Sequence, residues 1–109
     1  MSFSHHSKIY IAGHNGMVGS AISRKLKSLG YNNLITKSSK ELDLRNQEQT
    51  QDFFKNEQPE FVFLAAAKVG GILPNSTYKA DFIYDNLMIQ NNVIKSAHYC
   101  SVKKLLFLG

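Results

Sequence analysis

The sequence predicts an α/β protein built on a parallel sheet of about four strands, with helices on both faces. Short apolar blocks rich in β-branched and aromatic residues alternate with longer segments whose apolar residues recur at helical spacing. Glycine or proline stands between most of these segments. Strand and helix in alternation indicate right-handed crossovers between parallel strands, and the doubly wound arrangement gives the strand order second, first, third, fourth.

The length and composition of the chain exclude several classes of protein. With 109 residues, 43% of them hydrophobic, it suits one globular domain and not a mainly disordered protein. The longest apolar run, residues 61–67, is too short to cross a membrane, and the N-terminal residues lack the apolar core of a signal peptide. A single cysteine favours a reducing compartment, so we expect a cytoplasmic protein. The net charge of +5 suits a nucleotide, a nucleic acid or no partner alike, and we predict neither a nucleic-acid nor a membrane partner.

The first half of the chain contains two predicted strands and one helix. Residues 8–13 (KIYIAG) form a short β-branched and aromatic block that ends in glycine, which is typical of a strand. A helix follows and is stopped by Gly30. One face of this helix carries the apolar residues Met17, Val18, Ala21, Ile22, Leu26 and Leu29. Residues 33–37 (NLITK) predict a weaker second strand.

A second helix and a third strand come next. Asn46 is a favourable helix cap, and we predict a helix from there to Glu57, with Gln49 as the capping-box partner. Residues 60–67 (EFVFLAAA) are apolar at nearly every position. This continuous pattern is typical of a parallel strand that is covered on both faces.

The remaining residues predict the longest helix and the last strand. A loop at residues 68–77, with two glycines and a proline, leads to a helix at 81–99. The apolar positions of this helix include Ile83, Leu87, Ile94 and Ala97. Residues 102–109 (VKKLLFLG) predict the fourth strand.

Two glycine-bearing segments follow the first and third predicted strands, at residues 13–19 (GHNGMVG) and 65–71 (AAAKVGG). The predicted order reverses the chain's direction between these strands, and ligands bind in the crevice at their carboxyl ends. Gly13, Gly16 and Gly19 recur every three residues between strand and helix. Glycine there makes the tight turn, admits a pyrophosphate to backbone N–H groups and lets helix and strand pack closely. The spacing predicts a dinucleotide site, the alternative being glycines used only for packing.

The residues after the second predicted strand bear on the choice of cofactor. An NAD site places an acidic residue there for the ribose 2′-hydroxyl, whereas this chain has TKSSK at residues 36–40. Cations and hydroxyls suit a 2′-phosphate, so Lys37 and Lys40 predict NADP as the cofactor. The alternative is that both lysines are only solvated.

Five segments together resemble one known family. They are residues 12–20 (AGHNGMVGS), 41–44 (ELDL), 65–72 (AAAKVGGI), 80–86 (ADFIYDN) and 104–109 (KLLFLG). These segments are similar to those of GDP-L-fucose synthases, which are extended short-chain dehydrogenases/reductases. The run AAAKVGG is far more specific than the glycine loop. The resemblance implies that the chain is the N-terminal part of a Rossmann-like cofactor domain, with a sheet that is incomplete at its C-terminal end and without the substrate domain.

The resemblance also implies a reaction and a set of ligand-binding residues. Members of this family epimerise and then reduce GDP-4-keto-6-deoxy-D-mannose with NADPH, so the implied partners are NADP(H) and a GDP-keto-deoxy-sugar, with homodimers for the full-length proteins. Added to Lys37 and Lys40, the implied cofactor-binding residues are Gly13, His14, Asn15, Gly16, Met17, Val18, Gly19, Ser39, Glu41, Leu42, Asp43, Leu44, Ala65, Ala66, Ala67, Leu108 and Gly109. Residues 13–19 would hold the pyrophosphate and residues 39–44 the adenosine, with Asp43 and Leu44 beside the adenine. The residues implied to lie near the substrate are Lys68, Val69, Gly70, Gly71 and Asn86.

Two departures from the family pattern bear on function. The family has arginine where Asn15 and Ser39 stand, so binding of a 2′-phosphate would rest on Lys37 or Lys40. The family's catalytic Ser, Tyr, Lys, Cys and His are expected beyond Gly109, so no catalytic residue is predicted here. Three hypotheses stay open: a part of the enzyme that is inactive alone, a free-standing NADP-binding regulatory module, and a half-enzyme completed by a second chain.

The other reactive side chains are interpreted as structural. Tyr99 and Lys103 have the Tyr-x-x-x-Lys spacing of a reductase pair, but the predicted helix ends between them, so the two side chains should diverge. We predict no general base, nucleophile or metal site among His5, His6, His14, His98 and Cys100.

Overall fold

The computed structural model describes residues 4–65 and 79–107, without the side chains of residues 79–83. Predictions that fall outside this part concern Ala66, Ala67, Lys68, Val69, Gly70, Gly71, Leu108, Gly109 and the side chain of Ile83. The part that it describes contains the seven predicted elements, which are β1 (Ile9–Ala12), α1 (Met17–Ser28), β2 (Leu34–Ile35), α2 (Gln47–Glu57), β3 (Phe61–Leu64), α3 (Lys79–Tyr99) and β4 (Lys104–Phe107).

The strands form one parallel sheet in the predicted order, β2-β1-β3-β4. The register pairs Ile9 with Leu34 on one side and with Phe61 on the other, and Phe61 pairs in turn with Lys104. β1 and β2 are shorter than predicted, and β2 pairs through two residues because the chain then leaves the sheet for a turn that begins at Ser38. The carboxyl ends of β1 and β3 lie side by side, which is the place where the topology puts a ligand crevice.

Helices cover the sheet on both faces, α2 and α3 together on one face and α1 on the other. The α2/α3 face holds the larger core of buried residues, Tyr10, Ala12, Leu42, Leu44, Phe54, Val62, Leu64, Val93 and Ala97. On the α1 face, Ile9, Ile11 and Phe61 are buried. Successive side chains of a strand point to opposite faces, so β1 and β3 contribute to both cores.

The face that α1 turns to the sheet differs from the predicted one. Gly19 and Ser23 are buried, and the half-buried Ile22 and Leu26 lie on the same side of the helix. The exposed apolar residues of the predicted face are Met17, Val18 and Ala21 in α1 and Leu29 at its C-cap. Small residues let the helix approach the sheet closely, and a count of large apolar side chains does not detect such a face.

The prediction for α3 was right for Ala97 and wrong for two other positions. Val93 and Ala97 are buried with Ile89 packed beside them, whereas Leu87 and Ile94 are about half exposed. Apolar residues lie on two sides of this helix. Helical periodicity alone therefore did not determine which side meets the sheet.

The last strand, β4, is the least covered. Leu105 packs against the α2/α3 core, but Leu106 and Phe107 remain 39% and 46% exposed. β4 pairs with β3, and within residues 4–65 and 79–107 no strand lies on its other side. This edge of the sheet is therefore apolar and open in the described part of the chain.

Candidate cofactor-binding site

The loop between β1 and α1 is a tight turn that places the start of the helix over the crevice. Gly13 has a positive φ of 87°, a conformation that side chains disfavour. The N–H of Gly16 donates to the carbonyl oxygen of Gly13 (3.1 Å), and the N–H of Ser20 donates to Gly16 (2.9 Å) as the first helical bond. Gly16 is the N-cap of α1 in extended conformation.

The three glycines of this loop differ in whether the fold requires them. At Gly19 an added Cβ would overlap the carbonyl oxygen of Gly13, so the close packing of helix on strand requires glycine. At Gly16 an added Cβ would meet only that same oxygen, at an ordinary contact distance of 3.5 Å, and φ is −77°. The fold therefore requires glycine at positions 13 and 19 but not at 16. Among the residues that the structure describes, an added Cβ at Gly16 would contact no other atom, and this leaves room for a closely approaching ligand.

The N-terminus of α1 is electrostatically suited to an anion. It has no side-chain cap and no acidic residue in its first turn, so the positive end of the helix dipole is not neutralised there. Met17 and Val18 are exposed beside it. The Nδ1 atom of His14 is buried and has no hydrogen-bond partner within the part of the chain that the structure describes. These features fit the pyrophosphate of a dinucleotide.

The loop after β2 closes through a reciprocal pair of hydrogen bonds. The N–H of Ser38 donates to Oε1 of Glu41 (2.9 Å), and the N–H of Glu41 donates to Oγ of Ser38 (3.3 Å). The backbone hydrogen bond from Ser38, followed by the one from its hydroxyl, lowers the pKa of Glu41 below its ordinary value. Lys37 is half-buried, while Ser39 and Lys40 are exposed.

Residues 42–45 are held in place from three directions. Leu42 and Leu44 are buried in the α2/α3 core. Asp43 accepts two hydrogen bonds from the guanidinium of Arg45, at 3.1 and 3.2 Å, and this pairing lowers the pKa of Asp43. Arg45 also reaches Asp85 of α3, with 3.5 Å between Nη1 and Oδ2. The Asp43 carboxylate is therefore fixed in direction at the edge of the crevice.

The start of α2 adds a contact that the capping-box prediction did not include. Asn46 caps the helix as predicted, since its Oδ1 accepts from the N–H of Gln49 (2.9 Å). The side chain of Gln49 does not return to Asn46 and instead accepts from the N–H of Asp43 (3.2 Å). The helix cap and the predicted adenine-side residue are thus directly connected.

The carboxyl end of β3 lies beside the glycine loop. The N–H of Ala65 donates to the carbonyl oxygen of Ala12 (2.9 Å), immediately before Gly13. Ala65 therefore adjoins the glycine loop, as the topology predicted. Asn86, which is the predicted substrate-side residue within the described part of the chain, is half-buried on α3.

The remaining candidates lie away from this crevice. Lys103 pairs with Glu60 (3.2 Å) at the amino ends of β4 and β3, and exposed Tyr99 lies beside Lys95. Tyr99 and Lys103 thus contact different residues, near the amino end of the sheet, which is the end opposite the glycine loop.

The remaining histidines of the N-terminal segment contact neighbouring loops. The His5 ring packs edge-on against Tyr31, and Nδ1 of His6 lies 3.2 Å from Oδ1 of Asn32. Across residues 4–65 and 79–107, no group of three or more His, Cys, Asp or Glu residues is arranged to hold a metal ion. In the same residues, no helix has the length and apolar character needed to span a membrane.

Comparison with known proteins decides the family. The model of the NAD dependent epimerase/dehydratase family matches residues 9–109. The chain belongs to this family. It is 59% identical over 103 residues to GDP-L-fucose synthase 1 of Arabidopsis thaliana, which is 94% of this chain and 32% of that protein. GDP-L-fucose synthase of Escherichia coli (strain K12) is 53% identical over 102 residues, with the same two shares of 94% and 32%.

A similar solved structure supports both the fold and the cofactor prediction. MlghC, a GDP-mannoheptose C4 reductase from Campylobacter jejuni with NADP bound, matches with a TM-score of 0.84 and 48% identity. The match covers 99% of this chain and 34% of that one. The chain therefore spans about a third of the length of these relatives. The Rossmann-like fold and the resemblance to GDP-L-fucose synthases are confirmed.

Sequence reasoning missed the residues that support Asp43. Arg45 two positions on and Gln49 six positions on fix its carboxylate and its N–H. A carboxylate two residues before an arginine in a loop is a usable signal for the first contact. The second was hidden because Gln49 also fits the simpler capping-box pattern.

Proposed function

We propose that this chain is the cofactor-binding portion of an NADP-dependent GDP-sugar epimerase/reductase of the GDP-L-fucose synthase type. The observation that carries the proposal is the glycine at position 16, at the uncapped N-terminus of α1, because nothing in the described part of the fold requires glycine there. Backbone N–H groups of that turn would bind the pyrophosphate of the cofactor. The named relatives and the NADP in MlghC support the choice of ligand.

We also assign residues to the adenine and to the 2′-phosphate of the cofactor. Asp43, held by Arg45, would accept a hydrogen bond from the adenine amino group, and Ala65 would line the crevice floor next to the glycine loop. The lysines Lys37 and Lys40 would attract the 2′-phosphate, in place of the arginines of the family. Bound NADPH supplies a hydride for reduction of the sugar carbonyl.

The substrate class that we propose is a GDP-linked keto-sugar, with a GDP-keto-deoxy-sugar as the first choice. It rests on the relatives, which include GDP-L-fucose synthases and a GDP-mannoheptose reductase. We further propose that the protein acts in the cytoplasm and that the full-length enzyme is a homodimer.

The first test measures binding of NADP to the 109-residue chain by calorimetry. Gly16→Val should reduce the affinity at least about tenfold, because a side chain there prevents the approach of the pyrophosphate. Ala21→Val, at an exposed position of the same helix, is the matched control and should bind like the parent chain. Equal affinities for the parent and Gly16→Val, or no binding to a folded parent chain, would refute the proposal.

A second test concerns turnover by the chain alone. Purified chain should not oxidise NADPH in the presence of a GDP-keto-deoxy-sugar, because the described residues bring no Tyr-Lys pair to the crevice. The measurement is loss of NADPH absorbance. Activity that disappears in Tyr99→Phe would show that the pair at the far edge of the sheet is catalytic after all.

A further inference from the structure

Arg45 contacts carboxylates on two parts of the fold at once. Its Nε and Nη2 atoms donate to the two carboxylate oxygens of Asp43, at 3.1 and 3.2 Å. Its third nitrogen, Nη1, lies 3.5 Å from Oδ2 of Asp85 in α3. A guanidinium is planar and pairs with a carboxylate through two parallel hydrogen bonds. This arrangement therefore fixes the direction of the Asp43 carboxylate in addition to balancing its charge.

The hydrogen bonds of Asp43 leave one acceptor position open. A carboxylate oxygen has two lone pairs and accepts up to two hydrogen bonds. Oδ1 accepts from the backbone N–H of Arg45 (3.0 Å) and from its Nε (3.1 Å), so both of its positions are used. Oδ2 accepts one bond, from Nη2, among the residues that the structure describes. The Asp43 side chain is 38% exposed, so the second position on Oδ2 can take one donor from a ligand.

The carboxylate of Asp43 lies at the same end of the sheet as the glycine loop. Asp43 is in the connection from the carboxyl end of β2 to the start of α2, and the glycine loop is the connection from the carboxyl end of β1 to α1. In a parallel sheet such connections share one edge, where ligands bind. Leu42 and Leu44, on either side of Asp43, are buried in the same core as Ala12, the last residue of β1.

We propose that Arg45 is a positioning residue that makes this site select adenine over a 6-oxo purine, because it fixes the direction in which Asp43 accepts a hydrogen bond. The inference rests on the proposed function, which places the adenine amino group against Asp43. It deepens that proposal by naming the residue on which recognition of the base depends.

The selection follows from the hydrogen-bonding pattern of the two bases. Adenine has an amino donor at C6. Hypoxanthine has a carbonyl oxygen at C6 instead, and its N1 atom carries a hydrogen. A carboxylate held toward the C6 group accepts from adenine and repels the carbonyl oxygen of hypoxanthine. A carboxylate without the guanidinium is free to turn toward N1–H, so it accepts from hypoxanthine as well.

The experiment measures two dissociation constants, that of NADP and that of nicotinamide hypoxanthine dinucleotide phosphate, its deaminated analogue. The ratio of the analogue's constant to that of NADP should be about tenfold for the parent chain and should fall to about twofold or less in Arg45→Gln. Partial unfolding of a variant weakens the binding of both ligands by the same factor and cancels in the ratio. A merely structural role of Arg45 therefore predicts weaker binding with an unchanged ratio.

Two further variants complete the test. Asp43→Asn replaces one carboxylate oxygen by an amide donor, which suits the carbonyl oxygen of hypoxanthine, so the ratio should fall to about one or below. Arg24→Gln removes the same charge from an exposed position of α1 and should keep the parent ratio.

Three results would overturn the inference: a ratio near one in the parent chain, a parent-like ratio in Arg45→Gln, or a parent-like ratio in Asp43→Asn. In each case, binding of NADP by the parent chain that is lost in Gly16→Val leaves the proposed cofactor site standing. If the folded parent chain binds neither dinucleotide, the proposed function fails and this inference fails with it.

Discussion

The side-chain amide of Asn92 in α3 donates a hydrogen bond of 2.9 Å to the backbone carbonyl oxygen of Leu44. These residues lie 48 positions apart in sequence. The bond joins the longest helix to the segment that carries Asp43, and it satisfies a carbonyl of a buried leucine. It is therefore both a stabilising contact and a fixed point for the segment that we propose to hold the adenine.

Replacing Asn92 tests that contact. Asn92→Ala should lower the free energy of unfolding by about 1 kcal/mol, because the Leu44 carbonyl loses the shorter of its two hydrogen bonds and keeps only the 3.4 Å bond from the Thr50 hydroxyl. Asn91→Ala is the matched control, since Asn91 is exposed on the same helix and should change stability by no more than about 0.5 kcal/mol. Urea unfolding followed by circular dichroism provides both values. Equal effects of the two substitutions would show that the bond contributes nothing.

Replacement of Gly16 and of Gly19 by alanine should change the stability of the fold by different amounts. Gly19→Ala should cost about 3 kcal/mol, because its Cβ overlaps the Gly13 carbonyl oxygen and the backbone must shift. Gly16→Ala should cost about 1 kcal/mol or less, the ordinary cost of a weaker helix cap. Thermal melts of the two variants distinguish these cases. Similar losses at both positions would mean that the fold, and not a ligand, requires glycine at position 16.

Acid should destabilise the chain through Glu60. The hydrogen bond from Lys103 lowers the pKa of Glu60 below its ordinary value of 4.5. A carboxyl whose pKa is lower in the folded state stabilises the fold above the unfolded pKa and ceases to do so as the pH falls through the folded value. The melting temperature should therefore change little from pH 7 to about pH 5 and fall below pH 4.5.

The Glu60→Gln variant checks that pH dependence. It should melt lower than the parent chain at pH 7 and should show a smaller further decrease on acidification. Asp52→Asn removes an exposed carboxylate of α2 and serves as the control for the loss of one negative charge. Parallel profiles of the parent chain and Glu60→Gln would rule out a role for the Lys103 contact.

The 109-residue chain on its own should self-associate and bind hydrophobic dyes. Leu106 and Phe107 of the edge strand are 39% and 46% exposed, and apolar edge strands pair readily with other chains. Leu106→Lys should reduce both dye fluorescence and the sedimentation coefficient, while Ser101→Lys, before the strand, should not. A monomeric parent chain that melts sharply and binds no dye would contradict this prediction.

The sequence predicted the order of elements better than the faces that they bury. The strand order and the Gly13 turn followed from alternation and glycine spacing, which are local properties of the chain. The buried side of α1 did not, because Gly19 and Ser23 pack through smallness and carry no hydrophobic signal. Leu87 and Ile94 were assigned to the wrong side of α3 because apolar residues occur on both sides of it.

The candidate site shows the same division between local and long-range information. The glycine loop was predictable from residue types that the turn itself demands. The anchoring of Asp43 by Arg45 and Gln49 depends on where α2 begins relative to the loop, which no spacing rule specifies. The carboxylate of Glu41 was counted with the adenosine residues, but its fixed orientation is a product of the Ser38 turn.

The parallel pairing of the strands also limits the order in which the chain can fold. The central pair joins Ile9 to Phe61, and the Lys8 N–H contacts Glu60 from 52 residues away, so no strand pair of this sheet can form as a local hairpin. High contact order of this kind slows folding. During synthesis β1 can pair with β2 once α1 has formed, but its other edge has no partner until β3 has emerged. A nascent chain therefore carries a central strand with one unpaired edge for that interval, and all four of its residues are ones that the finished fold buries. Chaperones would bind the chain most readily at that stage.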